Sequence, residues 1–206
     1  MKRGRLKHFI LAWVLLVGSL GCSVSFRTDP LEAPFTLPPS SAPKPSIAVA
    51  VRGRWSNPFL LPAEQVAPWH LRDKWTEIIL EAYRESNRFS SVRRGFFEAD
   101  LRAEIEVQDS TESNGLNEFF SFITLFVVPL HIEESLGMST VFRDTQGETL
   151  VTIELEERLS RWEGILLGPI IPFHGTGGVL DETLEDLSRS TLAAAGDVLV
   201  SSSDRP

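Results

Sequence analysis

The stretch SLGMSTVFRDTQGETLVTIELEERLSRW, residues 135 to 162, decides the fold because it has the pattern of a complete β-hairpin. Its middle, DTQG at 144 to 147, is a reverse-turn sequence with glycine in the last position. Apolar residues alternate with polar ones on both sides of this turn. The side chains predicted to share one face are Leu136, Met138, Thr140, Phe142, Val151, Ile153, Leu155 and Leu159. The pattern predicts two antiparallel strands with one buried face.

Two apolar runs flank this hairpin, FFSFITLFVVPL at 119 to 130 and GILLGPIIPF at 164 to 173. A helix over the first run would be about 18 Å long, which is too short for a hydrocarbon core of roughly 30 Å. As a strand, the first run would be apolar on both faces, which disfavours the wall of a water-filled pore. Both runs join the open end of the hairpin, so we expect them to be neighbours.

Two interpretations of these runs remain open. They could be buried core segments and proline-bent loops beneath the helices. Alternatively, they could form an exposed apolar lip that docks a partner or dips into the membrane. The residues of the possible interface are Phe119, Phe120, Phe122, Phe126, Trp162, Ile170 and Ile171.

The upstream sequence predicts a sheet and a helix. A strand is predicted at SIAVAVRGRW, from residue 46, and a proline-punctuated loop follows it. In residues 68–89 apolar side chains recur at three- and four-residue steps, which indicates an amphipathic helix that ends near Asn87. A short strand is predicted at FSSVRRGF. A second strand is predicted at ADLRAEIEVQDS, where apolar and polar residues alternate strictly, and the polar loop DSTESNGLNE follows it.

Downstream of the second run, Asp181 is predicted to cap a helix that carries Leu184, Leu187, Leu192 and Ala195. The whole order is β-α-β-β-β-β-α. We therefore predict a single α+β domain over residues 47–200, with an antiparallel or mixed sheet of about 4–5 strands. Two helices should pack on one face of this sheet. Residues 201–206 are predicted to be a disordered tail.

The N-terminus has the pattern of an export signal. Lys2, Arg3, Arg5 and Lys7 precede the apolar run 9–17, and GSLGC at 18–22 then places small residues before the single cysteine of the chain, Cys22. This motif resembles the lipobox of bacterial lipoproteins, with residues 1–21 as the signal peptide. The resemblance implies cleavage between Gly21 and Cys22, and it implies that Cys22 carries palmitate-like acyl chains as a membrane anchor.

By the same resemblance, Ser23 after the cysteine implies the outer membrane, with the domain facing the periplasm. Prolines at 30, 34, 38, 39, 43 and 45 then predict that residues 22–46 form an extended, polyproline-like tether.

An anchored domain with this order of elements is similar to one group of envelope proteins. The group contains the penicillin-binding-protein activator lipoproteins, the N-terminal domain of the Tol translocation protein and the curli-secretion lipoproteins. The similarity covers roughly residues 47 to 198. It implies a role in an envelope assembly, although a fold does not define a function.

Charge and motifs narrow the function. The chain has 20 Lys and Arg against 28 Asp and Glu, and the signal removes only basic residues, so nucleic acid is an unsuitable partner. His70, His131 and His174 lie outside any metal-binding motif, and the loop GTGG at 175–178 lacks the lysine of a phosphate-binding loop. Paired acids such as Glu104 and Glu106 are typical of a solvent-exposed sheet face and do not by themselves indicate a catalytic pair. We therefore expect no enzyme activity, metal or cofactor.

The expected function is that of a non-catalytic lipoprotein that contacts the membrane through its acyl chains and binds or regulates an envelope assembly complex. An export-complex subunit is the alternative, and a cell-envelope hydrolase is a third hypothesis. Acids and a histidine converging in one cleft would favour the hydrolase.

Overall fold

The computed structural model describes residues 23–28, 30–31, 44–57, 61–124, 127–164 and 176–202. Within these ranges seven strands and three helices form one α+β domain. In chain order they are β1 (Ser23–Arg27), β2 (Ser46–Asn57), β3 (Leu61–Val66), α1 (Trp69–Glu85), β4 (Ser91–Arg94), β5 (Leu101–Ser113), α2 (Gly115–Ile123), β6 (Leu130–Arg143), β7 (Thr149–Glu163) and α3 (Thr176–Ser202).

The described strands form a single mixed sheet in the order β1-β7-β6-β5-β2-β3. β2 runs parallel to β5 on one side, and its other side is shared by β4 and β3. β4 is parallel to β2, and β3 is antiparallel to it. The pairs β1–β7, β7–β6 and β6–β5 are antiparallel. The α+β class and the mixed sheet are confirmed, whereas the strand number is wrong because β1 and β3 join the sheet.

The hairpin prediction is confirmed residue by residue. Met138 pairs with Leu155, and Phe142 pairs with Val151. In the turn the Gly147 amide donates to the Asp144 carbonyl at 3.1 Å, and Gly147 has a φ of 85°, which favours glycine. The hairpin therefore fixes which face of the sheet is buried.

The core lies on one face of the sheet, under α1 and α3. Helix α1 buries Trp75, Ile79 and Tyr83, while α3 contributes Leu184, Leu187, Leu192 and Ala195. Trp75 packs closely on β2 because position 53 is a glycine, where a Cβ atom would come within 2.8 Å of the Trp75 ring. The predicted packing of two helices on one face is thus confirmed.

Strand β1 corrects part of the tether prediction. Residues 22–46 were expected to be extended and unpaired, but Ser23–Arg27 pair with β7 from Arg27↔Leu159 to Ser23↔Glu163. The physical reason is that β7 offers an open edge with free backbone groups, which this first segment satisfies. Residues 32–43, which hold four of the prolines, lie outside the described residues.

Two further local predictions are wrong. The predicted loop after Trp55 contains β3, which starts at Leu61 despite Pro62 and lies at the sheet edge, where a missing amide is tolerated. Helix α3 begins at Thr176, so Asp181 is inside the helix rather than its cap. Asp181 pairs with Lys74 of α1 at 2.7 Å instead.

The prediction of a polar loop before the first apolar run is also wrong in part, because α2 begins within that loop. Asn114 caps α2, since its Oδ1 accepts from the Leu116 amide at 3.0 Å, and the helix ends at Ile123 within the run. None of the described helices is long and apolar enough to cross a membrane.

Candidate functional site

Helix α2 has an inverted polarity, which means that its apolar side chains face outward and its polar side chains face the domain. Its outward side chains are apolar, whereas Asn117, Glu118 and Ser121 lie on its covered side, with Ser121 fully buried. Leu116, Phe119, Phe120, Phe122 and Ile123 are exposed over at least 53 % of their surface. A surface helix that only packs on its own domain shows the opposite arrangement. With Val127 and Val128, which are also exposed, these residues form a surface that we call the apolar lip.

Polar contacts hold α2 in this orientation. The Asn117 Oδ1 accepts from the backbone amide of His131 at 2.8 Å, at the start of β6. After the helix, the Thr124 hydroxyl donates to the Phe120 carbonyl at 2.8 Å and accepts from the Val128 amide at 3.2 Å. The helix is therefore fastened to the domain through its polar residues, which leaves the phenylalanines outside.

The lip lies at the same end of the sheet as the first described residue. Ser23 of β1 and Leu130 of β6 both pair with Glu163, so the three residues form one row across neighbouring strands. At about 4.8 Å per strand, Ser23 and Leu130 are roughly 10 Å apart. We call this end of the sheet the anchor end, because Cys22, the residue predicted to carry the acyl chains, directly precedes Ser23.

A pocket of about 670 Å³ opens beside α2 on the polar face of the sheet. Its lining residues are Glu112, Asn114, Asn117, His131, Glu133 and Trp162. The His131 ring lies 4.5 Å from the Trp162 ring, and its Nε2 is 2.8 Å from the Ser160 hydroxyl. Glu112 and Glu133 are opposite each other on β5 and β6. Acids and a histidine therefore share this pocket.

The covered face carries two groups of ion pairs, one between β1, β7 and α3 and one between β7 and β6. Arg27 holds the fully buried Glu157 with two nitrogens and reaches Asp186 at 2.6 Å. The hydrogen bond with Glu157 raises the pKa of Arg27 further above its usual range. These contacts tie β1 to β7 and to α3.

The second group surrounds Arg161, which pairs with Glu134 and, at 3.2 Å, with Glu163. Burial raises the pKa of Asp109 to about 6, and the charge of Glu134 adds to this shift. Burial also raises the pKa of Glu134, with Arg161 opposing it. Among the residues that the structure describes, no three His, Cys, Asp or Glu side chains converge as metal ligands.

The structure brings Phe119, Phe120 and Phe122 together as exposed side chains, and Trp162 lies at the same end. The buried-core interpretation is therefore wrong for these three phenylalanines. The other predicted site residues, Gly21, Cys22, Phe126, Ile170 and Ile171, lie outside the described residues.

Sequence reasoning missed Asn117 and Ser121 as the inner side of α2. A signal was present, because Asn114, Asn117, Ser121 and Thr124 recur at helical spacing through a segment whose other residues, apart from Gly115 and Glu118, are apolar. This polar stripe identifies the side of the helix that contacts the domain.

No protein-family model and no curated protein matches the chain. Among solved structures, a PelC dodecamer from Paraburkholderia phytofirmans is 12% identical with a TM-score of 0.35, covering 88% of this chain and 98% of that one. A putative neuraminyllactose-binding hemagglutinin homolog from Helicobacter pylori is 8% identical with a TM-score of 0.45, covering 84% and 100%.

A minor lipoprotein from Acinetobacter baumannii is 13% identical with a TM-score of 0.29, covering 77% of this chain and 94% of that one. The chain thus resembles PelC and a bacterial minor lipoprotein over most of its length, without belonging to a matched sequence family. At these TM-scores the likeness carries no argument about function or assembly.

Proposed function

We propose that the chain is a bacterial envelope lipoprotein, acylated at Cys22, whose domain acts by binding rather than by catalysis. The apolar lip is its binding surface. The observation that carries this proposal is the inverted polarity of α2, which exposes three phenylalanines at the end of the sheet where Ser23 lies.

The energetics of the lip support binding. A phenylalanine buries 150 Å² or more when it is covered, and each Å² of apolar surface removed from water contributes about 25 cal/mol. Covering Phe119, Phe120 and Phe122 would therefore yield several kcal/mol in total, of which part is lost to ordering. Contiguous exposed apolar patches of this kind mark binding surfaces in soluble domains.

The proposed location is the outer membrane, with the domain in the periplasm, on the basis of the GSLGC motif and Ser23. There the domain would bind or regulate an envelope assembly complex. The alternative is that the chain is itself a subunit of an export complex, which would require a ring of copies. The oligomeric state of the acylated protein in detergent distinguishes this alternative from binding to a separate complex. A monomer would exclude the ring.

The test has two parts. Mass spectrometry of the protein from bacterial envelopes should show acylated Cys22, and the Cys22→Ser variant should be lost from the membrane fraction.

The second part tests the lip. A photo-crosslinking phenylalanine analogue is placed at position 119, and Phe97 is the matched control because it is similarly exposed but follows β4. Position 119 should crosslink to an envelope component and position 97 should not. Equal or absent crosslinking at both positions would contradict the lip as the binding surface.

One observation favours a second candidate, a hydrolase that uses the pocket beside α2. The 2.8 Å contact between His131 Nε2 and the Ser160 hydroxyl has the distance of a nucleophile and its base, and Glu112 and Glu133 line the same space. A fluorophosphonate probe tests this candidate. Labelling of the wild type that is lost in Ser160→Ala would support the hydrolase, whereas an unlabelled protein supports binding alone.

A further inference from the structure

We infer that the envelope component bound by the apolar lip is the lipid bilayer itself: α2 lies in the surface of the same leaflet that holds the Cys22 acyl chains, and an assembly complex would bind elsewhere on the domain. The domain would then have two membrane contacts, and its anchor end would face the lipid. This inference rests on the proposed function, because it takes acylation of Cys22 as given.

The first argument is that no flexible linker separates Cys22 from the folded domain. Ser23 follows Cys22 directly and is already paired with Glu163, and one residue spans at most about 3.6 Å. Arg27 fixes the other end of β1 to the buried Glu157. An acylated Cys22 therefore holds the anchor end of the sheet against the bilayer rather than at the end of a long tether.

The second argument is the position of the lip. The chain leaves α2, passes Val127 and Val128, and enters β6 at Leu130, which lies in the same row as Ser23. The lip is thus attached within roughly 10 Å of the anchoring strand. The close spacing brings the phenylalanines within reach of the lipid surface whenever Cys22 is inserted.

The third argument is chemical. A nine-residue helix of about 14 Å can only lie in the membrane plane, with aromatic side chains at the level where they are favoured. No Lys or Arg occurs between Arg102 and Arg143, and Glu118 lies on α2. Insertion would therefore be driven by apolar burial and would not need anionic lipid, unlike that of a basic amphipathic helix.

The test uses the full-length acylated protein with Phe122→Cys, which supplies the single free thiol once Cys22 is acylated. This thiol carries an environment-sensitive fluorophore. The protein is reconstituted at low density into phosphatidylcholine vesicles that contain lipids with a quencher on the acyl chain. The matched control is Thr145→Cys, an exposed position in the hairpin turn at the opposite end of the sheet.

The label at 122 should be quenched at least about threefold more strongly than the label at 145, with blue-shifted emission. Replacing a third of the lipid by phosphatidylglycerol should not increase the quenching. Equal quenching at both positions would overturn the inference.

Two other outcomes are also informative. If the label at 122 becomes shielded only at high protein density and crosslinks to a second copy, another protomer rather than lipid covers the lip, and the inference is wrong. If mass spectrometry shows acylated Cys22 while the label at 122 stays in water, the inference fails and the proposed lipoprotein function stands. An unmodified Cys22 in envelope-derived protein would instead contradict the proposed function.

Discussion

Arg27 is the residue on which the attachment of β1 depends. Glu157 is fully buried, and it accepts from the Arg27 guanidinium, at 2.8 Å for Nη2, and from the Leu31 amide at 3.4 Å. Removing one partner of such a pair leaves an uncompensated buried charge. We expect Arg27→Met to lower the free energy of unfolding by about 3–5 kcal/mol. Urea unfolding followed by circular dichroism measures this change.

The control is the double variant Arg27→Met/Glu157→Met, in which neither charge remains. It should recover most of the lost stability, because replacing both partners of a buried pair by apolar side chains is often neutral. If the double variant were as unstable as Arg27→Met, packing of the arginine stem rather than its charge would be the important contribution.

Asp109 should make stability depend on pH. Its folded pKa of about 6 lies above the ordinary value of 3.8, so the folded protein binds the extra proton between these pH values. The stability contribution of this group is therefore highest below about pH 4 and falls as the pH rises through 6. Asp109→Asn should be more stable than wild type by about 2 kcal/mol at pH 7.5 and equal to it near pH 4.

Thermal unfolding of both proteins from pH 4 to 7.5 tests this prediction. Asp100 serves as a matched acid with the opposite shift, because hydrogen bonds from Ser46 lower its pKa. Asp100→Asn should therefore not gain stability at neutral pH. A constant difference between Asp109→Asn and wild type across this range would contradict the burial of a charged Asp109.

At the scale of elements, the apolar lip and the core should respond differently to substitution. The double variant Phe119→Gln/Phe122→Gln removes two exposed side chains, so its unfolding free energy should stay within about 0.5 kcal/mol of wild type. Trp75→Ala, in the core face of α1, should cost about 3–5 kcal/mol. Urea unfolding of the Cys22→Ser protein in solution compares them. A large loss in the lip variant would mean that the phenylalanines are covered within the domain.

The sequence predicts elements well where the chain buries its apolar residues and poorly where those residues are exposed. The β6–β7 hairpin and α1 follow from their periodicity. The residues at the inward positions are buried, namely Leu136, Met138 and Phe142 in β6 and Trp75, Ile79 and Ala82 in α1. The orientation of α2 could not be settled from hydrophobicity alone, because apolar residues there do not mark the covered side. The polar stripe through Asn117 and Ser121 marks it instead.

The edge strands were missed for a different reason. β1 and β3 lie at the sheet edges and next to prolines, and local sequence does not show that a distant strand offers them an edge. For the candidate site, the phenylalanines could be named from the sequence. Their location at the same end of the sheet as Ser23 could not be predicted, because it depends on β1 pairing with β7 across more than a hundred residues.

At the scale of the whole molecule, the proposed acyl chains on Cys22 and the apolar lip would together form a bivalent attachment, because Cys22 connects directly to β1. Binding of the lip is then intramolecular, with an effective concentration set by the length of the connection. A 20-residue Gly/Ser linker inserted after Cys22 would have an end-to-end distance of about 25 Å. The linker should leave the urea midpoint unchanged, since it adds nothing between Ser23 and the rest of the sheet.

Lipid quenching of a label at position 122 reports the effect of this linker. We expect modest loss of quenching in the linker variant alone, and nearly complete loss when Phe119→Gln and Phe120→Gln weaken the lip as well. The same two substitutions without the linker should retain most of the quenching, because the short connection keeps α2 at the surface. If the linker made no difference in either background, the close spacing of Ser23 and Leu130 would have no role in membrane contact, and α2 would act independently of the acylated N-terminus.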